Sequence, residues 1–168
     1  HIDMPRHFID TGKTITDYPA DFWIFKSPKL IDLTLDSCHL INPEDIKSPL
    51  DGVDLLLFRT GFESFRHLEK YWSHNPGLSR ELAIFLRKKY PNLRAIGIDS
   101  ISISCYQKRE EGRESHKLFL GDGFSSNPIL LIEDMSLKNY NNTIRKVLVS
   151  PLVIENADGA PCTIFGIE

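Results

Sequence analysis

The sequence predicts a single domain of α/β or α+β class built around a central mixed sheet, and three observations carry that expectation. Runs 53–58 and 129–132 are apolar on both parities, as interior strands covered on both faces are. Helical patterns are mixed among the strand-like runs rather than set apart from them. No repeat, low-complexity tract or Gly/Ser/Pro-rich linker divides the 168 residues, a length that suits one domain.

Taken in order, strand-like runs fall at 22–26, 30–35, 53–60, 95–103, 129–133 and 146–154. Single turns punctuate them, such as Ser27-Pro28, Asn42-Pro43, Asp51-Gly52, Asn75-Pro76 and Asp158-Gly159. The best helix spans 78–90: Ser79 is a plausible N-cap, Leu82, Phe85 and Leu86 follow helical spacing, and Pro91 stops it. A shorter helix is expected over 110–120, ending at Gly121 as a C-cap, with a single turn at 43–46. Glu110, Glu111 and Glu114 read as a solvated helix face.

Composition excludes several classes. With 41% hydrophobic and 26% charged residues the chain is neither disordered nor a disulfide scaffold. No run nears the roughly 18 apolar residues of a membrane span. Net charge −3 without a like-charge block argues against a nucleic-acid or anionic-membrane partner, because counterion release needs a concentrated basic face. Cys38, Cys105 and Cys162 are odd in number and far apart, so they read as reduced, structural thiols of a cytoplasmic protein. The chain opens on His1, with no basic segment followed by an apolar run. The expectation is a truncated form of a longer protein, its N-terminal part missing.

That opening also carries chemistry. On an extended strand residues i and i+2 share a face, so His1 and Asp3 can grip one metal ion together. Pro5 interrupts the strand and can turn His7 back over the same spot. The competing reading is a surface segment with incidental histidines. A second cluster follows at Ser115-His116-Lys117 and at Glu133, which ends an apolar strand. A carboxylate there needs a cation or a hydrogen-bond partner. Taken alone, His116 beside Lys117 reads as a surface histidine and Glu133 as a solvated strand end.

These residues carry a family resemblance. His1-Ile2-Asp3-Met4-Pro5-Arg6-His7-Phe8 resembles the second half of the HxGTHxDxPxHF signature of the cyclase-like metal-dependent hydrolases, the family of bacterial kynurenine formamidase. Further pieces agree in order: Phe58-Arg59-Thr60-Gly61, Tyr71-Trp72 through Pro76-Gly77-Leu78-Ser79, Gly97-Ile98-Asp99-Ser100, His116 with Glu133, and Gly159-Ala160-Pro161. The likeness spans nearly the whole chain.

The resemblance implies a swivelling β/β/α fold, bound zinc or manganese, amide hydrolysis on small substrates, and homodimers or homotetramers. By position His1, Asp3, His116 and Glu133 match metal ligands, and His7 matches the general acid/base histidine. The first His of the HxGTH half precedes the sequence in hand, which leads to the expectation of an empty or partly filled site. Residues 124–128 lengthen the gap between His116 and Glu133 beyond the family spacing.

The chemistry is consistent with such a site. A mixed nitrogen and oxygen ligand set suits Zn²⁺, or Mn²⁺ if carboxylate-rich. Such an ion lowers the pKa of water to about 7, and a histidine within about 3 Å could take the proton. Arg59, Thr60, Asp99 and Ser100 end strands and are candidates for the pocket lining, with turn formation and capping as the alternative. Trp72, Phe22 and Trp23 are candidates for an aromatic wall, with core packing as the alternative. His39, His67 and His74 read as surface residues. Gly121-Asp122-Gly123 lacks the features of a phosphate or calcium loop, and no GxSxG elbow exists. Three functions compete: an arylformamidase-like amidohydrolase, a hydrolase of another lactam or ester, and a degenerate binding module without turnover.

Overall fold

The computed structural model describes residues 1–121, 123–140 and 143–168. In chain order the strands are β1 (Ile2–Asp3), β2 (Ile24–Phe25), β3 (Pro28–Asp32) and β4 (Leu40–Ile41). Then come β5 (Leu55–Arg59), β6 (Gly77–Leu78), β7 (Ala95–Ile98) and β8 (Leu130–Ile132). Last are β9 (Lys146–Pro151), β10 (Gly159–Ala160) and β11 (Cys162–Ile167). The helices are α1 (Lys70–Ser73), α2 (Arg80–Lys89) and α3 (Arg109–Leu120).

A six-stranded mixed sheet runs in the order β10-β1-β8-β7-β5-β3, so the expected central mixed sheet is present. Strands β3, β5, β7 and β8 are parallel neighbours, while β1 lies antiparallel between β8 and β10. Leu55 to Phe58 of β5 and all of β7 and β8 are buried, which is why their sequences alternate so little. A second sheet, β11-β9-β2, and a two-stranded pair, β4 with β6, complete the architecture.

The strands are shorter than the strand-like runs that predict them. Run 22–26 keeps two strand residues because Ala20–Trp23 coils as a 3-10 turn after Pro19. Run 95–103 stops at Ile98, where Asp99 turns the chain away from the sheet. Helix α2 starts where expected, with the Ser79 hydroxyl accepting from the Leu82 N–H at 3.1 Å. It ends at Lys89, just before Pro91. Helix α3 ends at Gly121, whose φ of 144° serves the C-cap. Asp122, singled out between Gly121 and Gly123, lies outside the described residues.

Helix α3 packs on α2 and against β8, and so carries His116 to the central sheet. Segment 124–128, between α3 and β8, is tied to α2. Arg87 of α2, almost fully buried, pins it by donating to the Ser126 carbonyl at 2.6 Å, with the guanidinium 4.6 Å from the Phe124 ring. Among the described residues no helix is long and apolar enough to cross a membrane.

Candidate metal centre

The site begins with strand register. Ile2 faces Ile132 and Asp3 faces Leu131, and the Glu133 N–H donates to the His1 carbonyl at 3.0 Å. Residue 1 of β1's approach therefore meets residue 133 at the end of β8. Ile2 is fully buried in the core, leaving His1 and Asp3 on the opposite face. His1 Nε2 lies 3.3 Å from Glu133 Oε2 and 3.6 Å from Asp3 Oδ1. Ligand atoms of His1, Asp3 and Glu133 all sit within 4.8 Å of one another.

Helix α3 supplies the fourth member. His116 Nε2 is 3.3 Å from Glu133 Oε1 and 3.7 Å from Asp3 Oδ2. The sequence taken segment by segment put His116 on the surface; it is buried, at 4% exposure. Its Nδ1 lies 2.8 Å from the Gly112 carbonyl and 3.2 Å from Ser104 Oγ. In the neutral ring Nδ1–H donates to that carbonyl and the Nε2 lone pair faces the carboxylates, the form a metal ligand needs. Phe8 stacks on the ring at 4.8 Å and 31°.

Glu133 is fixed on its other side by the segment after β7. Its Oε1 accepts from the Ile103 N–H at 2.8 Å and from Ser102 Oγ at 3.1 Å. It is buried rather than solvated at a strand end. Burial opposes its charge, but hydrogen bonds from the protonated His1 and His116 rings and from the Ile103 amide outweigh it and hold Glu133 below the usual carboxylate range. Asp3 moves the other way: burial and the Glu133 charge push it up, against the three nearby histidines His1, His7 and His116. The Glu133 hydrogen bond raises His1 despite burial, and in His116 the same carboxylate overcomes a larger burial effect to raise it.

Two buried carboxylates that disfavour each other's charge beside two imidazoles form a donor set that a divalent cation would neutralise. His1, Asp3, His116 and Glu133 thus fit a mixed nitrogen and oxygen metal site. The sequence singled out all four, and the fold brings them together.

His7 stands beside this set rather than in it. It closes a 3-10 turn at Pro5–His7, and its Nδ1 lies 3.0 Å from Asp158 Oδ2. A cavity of about 450 Å³ opens next to the cluster, with His1 and Glu133 on its wall. Leu57 of the central sheet and Val147 and Ile164 of the second sheet give it an apolar interior, joined by Met135 and Tyr140.

The residues expected to line the pocket take these places in the fold. Arg59, Thr60, Trp72, Asp99 and Ser100 are not among the residues around that cavity, and neither are Asp3, His7 and His116. Arg59 is engaged by both Asp32 oxygens and by the carbonyls of Leu137 and Tyr140. Asp99 accepts from the Thr60 hydroxyl and from the N–H groups of Thr60 and Gly61, at 2.8 and 2.7 Å, so both residues clamp the turns after β5 and β7. Ser100 is buried, its hydroxyl donating to the Ser102 carbonyl at 2.9 Å. Trp72 is 43% exposed and meets Tyr106 edge-on; Phe22 and Trp23 pack with Tyr18 and the core. His39, read as a free surface residue, pairs with Asp45 at 3.0 Å.

Segment-by-segment reading missed Gly112, Ser102, Ser104, Ile103 and Asp158. A backbone N–H leaves no trace in a sequence, and single serines and glycines carry no spacing signal. Asp158 sits directly before the Gly-Ala-Pro piece, the one signal that could have drawn attention to it.

A family model described as Putative cyclase matches residues 1–104, well over half the chain. The chain belongs to the Putative cyclase family. Relatives of this cyclase-family chain include a kynurenine formamidase of Bacillus cytotoxicus, 31% identical over 163 residues, covering 96% of this chain and 71% of that protein. A kynurenine formamidase of Bacillus cereus is 29% identical over the same coverage. Among solved structures, isatin hydrolase A from Labrenzia aggregata, bound to benzyl benzoate, superposes with a TM-score of 0.76 at 21% identity, over 97% of this chain and 70% of that one. A potential metal-dependent hydrolase with cyclase activity gives 0.72 at 24% identity, over 97% and 74%. At those identities the likeness concerns the fold, and the cyclase-like β/β/α architecture is the one expected.

Proposed function

We propose that this cyclase-family chain is a metal-dependent hydrolase of a small amide, with an aryl formamide such as N-formylkynurenine as the favoured substrate class. The observation that carries the reading is the convergence of His1, Asp3, His116 and Glu133, two of which, His1 and Glu133, border an apolar cavity. The kynurenine formamidases among its relatives support the substrate class. Zn²⁺ is the favoured ion and Mn²⁺ the alternative, because the four donors are two imidazoles and two carboxylates.

A divalent ion held there supplies Lewis-acid chemistry, polarising a carbonyl and acidifying water. The chain's own residues do the rest. Asp3 and Glu133 hold negative charge in a buried place, and His116 is kept in its ligand-ready tautomer by the Gly112 carbonyl. The apolar walls formed by Leu57, Met135 and Ile164 seat an aryl group and exclude water. His7 takes the proton from the attacking water and returns it to the leaving amine.

Assembly into a homodimer or homotetramer belongs to the same reading, supported by the exposed apolar side chains Leu152, Val153, Ile154, Phe165 and Ile167. A cytoplasmic location is supported by the three free cysteines.

The test is an activity screen against formanilides, N-formylkynurenine, lactams and esters, with zinc or manganese supplied and metal content measured in parallel. Amide hydrolysis that rises with occupancy is expected. A fully loaded protein inert toward all four classes would favour a binding module.

A further inference from the structure

We propose that Asp158 is the positioning residue for His7: its carboxylate holds the imidazole in one tautomer and one orientation beside the metal cluster. This rests on the reading of His7 as general acid/base and adds to it the group that makes the base competent.

The geometry is specific. His7 Nδ1 lies 3.0 Å from Asp158 Oδ2, although 151 residues separate the two. Both backbones are locked to the same place. Strand β10 pairs with β1 so that Asp3 faces Gly159 and Ile2 faces Ala160. The Met4 N–H donates to the Asp158 carbonyl at 2.8 Å, and the His7 N–H donates to the Met4 carbonyl at 2.9 Å. One residue, Met4, therefore bonds to both members of the pair. Gly159 allows the close approach, since a Cβ there would lie 2.9 Å from the Ile2 carbonyl oxygen.

An ionised carboxylate can only accept, so the ring must present Nδ1–H to Asp158. In the neutral ring Nε2 is then the basic nitrogen, free to take a proton from water and give it to a leaving amine. Without Asp158 the ring divides between two tautomers and several orientations, and the productive fraction falls. Burial does not explain the pair, because the two side chains are 42% and 57% exposed. An exposed ion pair of this kind adds little to stability. Orientation of His7 is the role that remains.

The experiment compares His7→Ala, Asp158→Ala, Asp158→Glu and the double variant His7→Ala/Asp158→Ala in the metal-loaded protein. Turnover, KM and metal content are measured on a formanilide, and the His7 ring nitrogens are followed by ¹⁵N NMR. Asp158→Ala is expected to lower kcat about 10- to 100-fold with KM and metal content nearly unchanged, by loss of a well-oriented base. The double variant should be no slower than His7→Ala alone, because both changes remove one unit. Asp158→Glu should recover part of the loss. The neutral His7 ring should carry its proton on Nδ1 in the wild type and shift toward a mixture in Asp158→Ala.

Multiplying losses, a fall in metal content, or an unchanged ring signal would overturn the proposal while leaving His7 in place. Should His7→Ala turn over at the wild-type rate, the acid/base reading itself falls and this proposal with it.

Discussion

The Nδ1 of His116 lies 2.8 Å from the carbonyl of Gly112, one helical turn earlier, and that bond turns Nε2 toward Asp3 and Glu133. Residue 112 has to be glycine, because a Cβ there would come within 2.3 Å of Ser104 Oγ and 2.8 Å of its Cα. Helix α3 can thus lie close on the segment that also holds Glu133 through Ser102 and Ile103. Gly112→Ala is expected to cost roughly 1–3 kcal/mol by overpacking and to weaken metal binding at the same time. Urea unfolding with metal titration checks both; a stable variant with wild-type affinity would show that the close approach is dispensable.

His116→Ala and Glu133→Ala should each lower metal affinity severely, since each removes one donor from a small set. Metal analysis after dialysis against zinc and against manganese reads this directly. Full occupancy in both variants would remove the pair from the site.

His7→Ala should keep its metal and slow turnover by about 10²–10⁴-fold, the usual worth of a general acid/base. Its Nδ1 contact is to Asp158 rather than to Asp3, His116 or Glu133, which is why occupancy is expected to hold.

The ionisation of the cluster sets a pH dependence for the metal-free protein. His1 is raised above 6.5 chiefly by its hydrogen bond to Glu133, and His116 is raised by the same carboxylate against burial. Raised histidines contribute stability that is complete below pH 6.5 and is lost as pH climbs through their folded values. Glu133 is depressed, so its contribution is present above its ordinary 4.5 and disappears as pH falls toward its folded value. Asp3, raised by burial, opposes it: its penalty is absent below pH 3.8, grows as pH climbs through its folded value and persists above that. Chelator-treated protein is therefore expected to melt higher at pH 5.5 than at pH 8. Metal affinity should run the other way, because the ion displaces protons from the imidazoles. A chelated protein more stable at pH 8 would contradict the pairing of these histidines with Glu133.

Asp99→Ala should leave metal content unchanged yet cost roughly 1–3 kcal/mol, because buried donors lose their acceptor. The donors are the Thr60 hydroxyl and the N–H groups of Thr60 and Gly61. Loss of metal without loss of stability would return Asp99 to the site.

By itself the sequence determined the class of fold, the interior strands, the start and stop of α2 and the His1-Asp3 pair, while His116 and Glu133 entered as ligands through the family resemblance. These signals are local: apolar runs on both parities mark β5 and β8, Ser79 caps a helix that Pro91 stops, and the His1-Asp3 spacing puts two ligands on one strand face. The strand ends escaped it. Asp99 bends the chain away after Ile98 although the strand-like run continues to Ile103, because its side chain is committed to the β5 turn. Only the tertiary structure decided which polar groups meet and which are spent on neighbouring turns. Arg59, Thr60 and Asp99 look as functional as Glu133 in sequence, but their hydrogen bonds are consumed by neighbouring turns. His116 looks like a surface residue until α3 is laid on β8. Asp158 becomes visible when antiparallel pairing places β10 against β1. Sheet register and helix packing join residues more than a hundred positions apart, and no local pattern encodes such a juxtaposition.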